Sequence, residues 1–152
     1  MLTGCGFKLR GAVKVPSSLT AIYLTPDNPY EPFQRSLRRA LLKKGITIYN
    51  TKATKNTVPS LVLSPSLVTN QILAYGPNGL PQRYKISLAV DYQLLDANNQ
   101  LLTQATISKA RNFTTNTNAM LASNHERDKI LQELQLEAIC DLLQQLVIYN
   151  DK

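Results

Sequence analysis

Tyr84-Lys85-Ile86-Ser87-Leu88-Ala89-Val90-Asp91-Tyr92-Gln93-Leu94 decides the architecture. Its period of two puts Tyr84, Ile86, Leu88, Val90, Tyr92 and Leu94 on one face and Lys85, Ser87, Ala89, Asp91 and Gln93 on the other. That is the pattern of a strand with one dry and one wet face. Gly76-Pro77-Asn78-Gly79 precedes it and Asp96-Ala97-Asn98-Asn99 follows it, and both are turn sequences. The chain therefore predicts a three-stranded antiparallel meander over 61–110, its third strand running from Leu101 to Arg111. The first run, 61–75, contains Pro65, which cannot donate to a ladder and predicts a sheet edge or a bulge.

Outward from the meander, Thr20 to Thr25 is a short β-rich run stopped by Pro26-Asp27-Asn28-Pro29. Pro29 and Pro32 then set the start of a helix with Phe33, Leu37 and Leu41 four apart, and Gly45 ends it. Ile46 to Tyr49 reads as another short strand. At the other end, Thr114-Thr115-Asn116-Thr117-Asn118 leads into a long helix reaching about Tyr149. Its apolar residues form two stripes: Ile130, Leu134, Ala138 and Leu142, then Leu136, Cys140, Leu143 and Val147. Either the helix is buried along a broad arc, or the second stripe meets another protein. The elements run β-α-β-β-β-β-α. The expected fold is α+β, a two-layer sandwich whose mixed, mostly antiparallel sheet packs against two helices. A single domain fits a chain of 152 residues, which buries roughly two-thirds of its unfolded surface. Residues 20–149 form the sandwich and 1–19 an N-terminal segment.

The net charge of +7 is unevenly placed, with ten Lys/Arg against Asp27 and Glu31 in residues 1–55. A basic surface suits phosphates of lipid headgroups or glycolipids. Nucleic acid is a poorer match, because Tyr84 and Tyr92, the aromatics that could stack on bases, share the apolar face. Arg35, Arg39 and Lys43 lie at i, i+4 and i+8 and read as a solvated helix face. No enzyme is expected: the lone histidine, His125, lacks further metal ligands, and no Gly-x-Ser-x-Gly, P-loop, dinucleotide turn or Cys-x-x-Cys occurs. Neither a metal nor a cofactor is expected. No run reaches the ~18 apolar residues of a membrane-spanning helix.

Leu2-Thr3-Gly4-Cys5 has the form of a bacterial lipobox. Small Thr3 and Gly4 let a peptidase hold an extended backbone, and a thiol at the new N-terminus accepts a diacylglycerol. Cys5 is thus the expected lipidation site, with a basic and apolar signal segment expected upstream of Met1. With Cys5 acylated, Cys140 has no disulfide partner.

These residues carry a resemblance. The run Leu2 to Arg10, then Val15-Pro16, an Arg-bearing helix ending near Lys44-Gly45, Val58-Pro59-Ser60-Leu61, Asn78-Gly79 before Tyr84, Arg111-Asn112-Phe113 and Asn124-His125-Glu126-Arg127-Asp128 succeed one another in a particular order. In that order the chain resembles, over nearly its whole length, the lipopolysaccharide-assembly lipoprotein (LptE, or RlpB) family of Gram-negative outer membranes. The resemblance implies a lipoprotein anchored to the cell outer membrane on its periplasmic side. It implies a plug that assists a large outer-membrane β-barrel of lipopolysaccharide export, and one that binds lipopolysaccharide. Gly6 after Cys5, rather than Asp, fits outer-membrane sorting. Enteric members carry an Arg before the Asn-Gly turn and a Lys before the last helix, where this chain has Pro77 and Ser123. The expected phosphate ligands are therefore the neighbouring Arg83, Lys85, Lys109, Arg111, Arg127 and Lys129, the first four converging at one end of the sheet. Leu136, Cys140, Leu143 and Val147 are the candidate partner interface. The rival reading is another periplasmic lipoprotein, a scaffold or peptidoglycan-binding module.

Overall fold

Alternation builds the central strand. In the computed structural model, which describes residues 19–50, 57–116 and 118–150, β5 (Pro81–Leu95) buries Ile86, Leu88, Val90, Tyr92 and Leu94. β6 (Leu101–Thr114) pairs antiparallel along its full length, from Leu95↔Leu101 to Arg83↔Thr114. The hairpin between them is closed by Asp96, whose Oδ1 accepts from the amides of Asn98 at 2.9 Å and Gln100 at 2.8 Å. Asn99 takes the left-handed position (φ 65°), a conformation asparagine tolerates better than most residues.

The opposite edge of β5 is shared by two strands. β3 (Ser60–Leu63) pairs with residues 92–95 and β4 (Leu67–Tyr75) with residues 81–89. Pro65 falls in the gap. Ser64 stitches the break, its amide donating to the Asp91 carbonyl at 2.9 Å and its hydroxyl accepting from the Asp91 amide at 3.0 Å. The run expected as one extended element is thus two strands, and the order becomes β-α-β-β-β-β-β-α.

Parallel pairing completes the sheet. β1 (Ala21–Thr25) lies between β2 (Thr47–Tyr49) and β3, and α1 (Pro32–Lys43) makes the crossover from β1 to β2. Glu31 caps α1 by accepting from the Gln34 amide at 2.7 Å, and Pro32 occupies the first turn, where no amide partner is needed. Gly45, at φ 77°, ends the helix. α1 buries Phe33, Leu37 and Leu41.

α2 (Met120–Asn150) starts soon after the stretch expected to lead into it, so that Ser123 and Asn124–Asp128 lie within the helix. Ile130, Leu134, Ala138 and Leu142 are all buried, as the first stripe predicted. The second stripe divides. Leu143 is buried to 2% exposure, Leu136 stands 59% exposed, Cys140 is exposed and Val147 is intermediate. α2 packs on α1 as well as on β5 and β6, which widens its buried arc. Leu143 is therefore a core residue and leaves the list of interface candidates.

The layers end differently. One core runs along the whole of β5, from Ile86, Phe113 and Ile130 to Leu94, and at the C-terminal half of the strand β1, β3, α1 and the end of α2 add Ile22, Leu24, Leu37, Leu61 and Leu146 to it. Around its N-terminal half, β5 is flanked by β4, of whose nine residues all but Ala74 are exposed, and by the end of β6.

Candidate functional site

Strand parity decides where the expected cations go. Lys109 and Arg111 sit opposite Leu88 and Ile86, so they share the helix-facing side with Ile107 and Phe113. There they meet α2. Lys109 pairs with Asp141 at 2.6 Å, and Arg111 bridges Glu133 and Glu137, the latter at 2.6 Å. Arg83 and Lys85 sit opposite Thr114 and Asn112 on the other side of the sheet, with no ion pair among the described residues. The four cations share one end of the sheet but not one face, so they do not converge. The signal was present in the sequence: Ile107, Lys109, Arg111 and Phe113 have the same parity.

Arg127 and Lys129 lie on α2. Lys129 is exposed, and among the described residues Arg127 has as its ion-pair partner only the adjacent Asp128, at 3.6 Å. Ser123 lies within α2, not before it, and its hydroxyl accepts from the Asn116 amide at 3.0 Å. One turn onward, Arg127 presents a cation on the same helix face. Pro77 sits in the Gly76–Gly79 turn, where Gly79 adopts φ 73° and the Leu80 amide donates to Asn78 Oδ1 at 3.2 Å. Neither Pro77 nor Ser123 supplies charge.

Sequence reading missed a groove at this end. Leu80, Tyr84, Ile86, Phe113 and Met120 line about 600 Å³ between the β4–β5 turn, the helix-facing side of the sheet and the first turns of α2, with Arg127 also in the lining. The loop after β6 is fixed against it by the Thr115 amide donating to the Gln82 carbonyl at 2.8 Å. Also missed was how much apolar surface β4 shows: Leu67 is 62% and Tyr75 64% exposed, and Ile72 and Leu73 are exposed too. No periodicity in the sequence states which part of a sheet a helix will cover.

The far side of β5 and β6 is polar. Ser87, Asp91 and Gln93 stand opposite Ala110, Thr106 and Gln104, Thr106 donates to Asp91, and Gln93 donates to Gln104 at 3.3 Å. On the helix-facing side Tyr84 is partly buried and Tyr92 buried, which removes both as exposed stacking platforms. Burial raises the Tyr92 phenol above its ordinary 10.0, and Tyr149 adds to the rise. Among the described residues no three His, Cys, Asp or Glu side chains gather as a metal site, and no helix is long and apolar enough to cross a membrane. Cys5 lies outside the described residues.

The model of the Lipopolysaccharide-assembly (LptE) family matches residues 19–146. The chain belongs to this family. An LPS-assembly lipoprotein LptE of Pectobacterium atrosepticum is 30% identical over 147 residues, covering 97% of this chain and 79% of that protein. Its counterpart in Yersinia pestis is 29% identical over 144 residues, covering 95% and 69%. Among solved structures, the solution structure of uncharacterized lipoprotein B from Nitrosomonas europaea superposes with a TM-score of 0.76 at 22% identity, covering 96% of this chain and 93% of that one. Rare lipoprotein B from Shewanella oneidensis gives 0.68 at 20%, covering 82% and 91%. At such identities these two structures speak for the fold, and the α+β sandwich with a mixed sheet agrees with them. The LptE match spans both helices and all six strands up to residue 146 of α2.

Proposed function

We propose that this LPS-assembly lipoprotein works by binding, without catalytic turnover. In this reading acyl chains on Cys5 hold it to the outer membrane on the periplasmic side. The end of the sheet at the β4–β5 turn binds lipopolysaccharide, and the domain plugs the large β-barrel of lipopolysaccharide export and assists its assembly. The observation that carries the reading is the split in the cations: Lys109 and Arg111 are neutralised by α2, whereas Arg83 and Lys85, on the face away from α2, have no ion pair among the described residues, and Arg127, on the helix side, has among them only the long 3.6 Å pair with its neighbour Asp128. Phosphates are well matched by Arg and Lys that no α2 carboxylate neutralises, through charge-assisted hydrogen bonds. The polar far side of the hairpin suits a wet barrel lumen. Exposed Leu67, Ile72, Leu73 and Tyr75 on β4, with Leu136 on α2, favour a larger partner over a lone domain.

The test is co-purification of the tagged full precursor from detergent-solubilised outer membranes. A stoichiometric complex with a lipopolysaccharide-export barrel is expected, and a chain that emerges alone or on another assembly contradicts the plug role. In the same cells Cys5→Ala should abolish fatty-acid labelling and release the protein into the periplasm, because stable anchoring needs more than one acyl chain. Label retained by that variant would refute the anchor.

A further inference from the structure

We propose that the groove between the β4–β5 turn and the start of α2 takes one acyl chain of the glycolipid, with Arg127 meeting a phosphate of its head. This rests on the lipopolysaccharide-binding reading and adds where the apolar part of the ligand goes. The groove has a floor of Ile86 and Phe113, both buried, beside half-buried Tyr84. Its walls, Leu80 at 52% and Met120 at 69% exposure, leave large apolar side chains facing water. A volume of about 600 Å³ falls within the range of roughly 300–1,000 Å³ typical of small-molecule sites. No acidic residue is in the lining, and Arg127 is the one cation there. The groove is thus complementary to an alkyl chain ending in an anion.

An extended peptide fits less well. Main-chain donors at the wall are already used: the Thr115 amide by Gln82, and the Asn116 amide by Ser123. What the groove still offers is mainly apolar carbon, with Asn70, Thr115, Asn116, Ser123 and Asn124 also in the lining and the Ser123 hydroxyl already accepting from the Asn116 amide. Such a surface gains from an alkyl chain, which needs no hydrogen bonds, more than from a backbone that does.

The test titrates the full 152-residue chain, without acylation, against purified lipopolysaccharide and against the same glycolipid stripped of its acyl chains. The double variant Leu80→Gln with Met120→Gln changes two exposed walls and leaves the floor intact. It should bind intact lipopolysaccharide about tenfold more weakly, roughly 1.4 kcal/mol, while its binding of the deacylated form and its Tm stay unchanged. Arg127→Gln should weaken both forms. Wild-type affinity in the double variant, or equal loss for both glycolipids, would overturn the groove assignment while leaving lipopolysaccharide binding intact. Failure of the wild type to bind either glycolipid would overturn both readings. If acylation at Cys5 removed the dependence on Leu80 and Met120, the groove would belong to the protein's own anchor.

Discussion

The two ends of β5 have the same alternating sequence and opposite surroundings. At the C-terminal end, Tyr92 and Leu94 are enclosed by β1, β3, α1 and the last turns of α2. At the N-terminal end, Ile86 is still buried but it and half-buried Tyr84 floor a groove walled by exposed Leu80 and Met120, and the neighbouring β4 is exposed along nearly all its length. One strand thus joins a part that holds the domain together to a part that is free to meet a ligand. The lesson is that a period of two marks which face is dry but not how far along the strand the dryness continues.

The largest effect should separate the ends by stability. Leu94→Ala removes a fully buried side chain from the enclosed core and is expected to cost about 2–5 kcal/mol. Leu67→Ala, on exposed β4, should stay within about 0.5 kcal/mol. Urea denaturation reads both, and comparable losses would break the contrast.

A smaller effect lies at the seam. Arg111→Ala leaves Glu133 and Glu137, one turn apart on α2, without the cation that bridges them. The pairs are partly exposed, so the expected loss is about 1 kcal/mol and should shrink in 1 M salt. Arg83→Ala should cost nothing measurable. If Arg111 behaved like Arg83, the distinction between paired and available cations would lose its force.

The smallest effect is a slope with pH. Because the folded Tyr92 phenol titrates above 10.0, first through burial and then through Tyr149, its contribution to stability is complete below pH 10 and is lost as pH rises beyond it. Tyr92→Phe should flatten the decline of stability above pH 10 in thermal melts. An unchanged slope would mean that the phenol is not shielded at the enclosed end.

Much of this was legible in residue order. Phe33, Leu37 and Leu41 gave α1, the alternation from Tyr84 to Leu94 gave β5, and the paired turns gave the meander. Pro65 announced an irregularity, but its form depended on Ser64 accepting the amide of Asp91, a contact between residues far apart in sequence. Leu136 and Leu143 belonged to one stripe on a helical wheel, yet Leu143 is buried and Leu136 exposed, a difference set by the tertiary packing of α2 and not by its own periodicity. The groove was illegible for the same reason. It exists where three elements meet, and none of them carries a motif for it. The cationic site was half legible: strand parity placed Lys109 and Arg111 with Ile107 and Phe113, but the acids that neutralise them come from α2.

In the proposed function, position and not net charge makes the end of the sheet at the β4–β5 turn the lipopolysaccharide site. Two triple reversals of equal charge change, measured by titration with lipopolysaccharide at fixed salt, test this most directly. Arg83→Glu, Lys85→Glu and Arg127→Glu together should weaken binding at least tenfold with little change in Tm, whereas Arg35→Glu, Arg39→Glu and Lys43→Glu on exposed α1 positions should leave affinity within about twofold. Equal weakening by the two sets, or a greater loss from the α1 set, would contradict the claim.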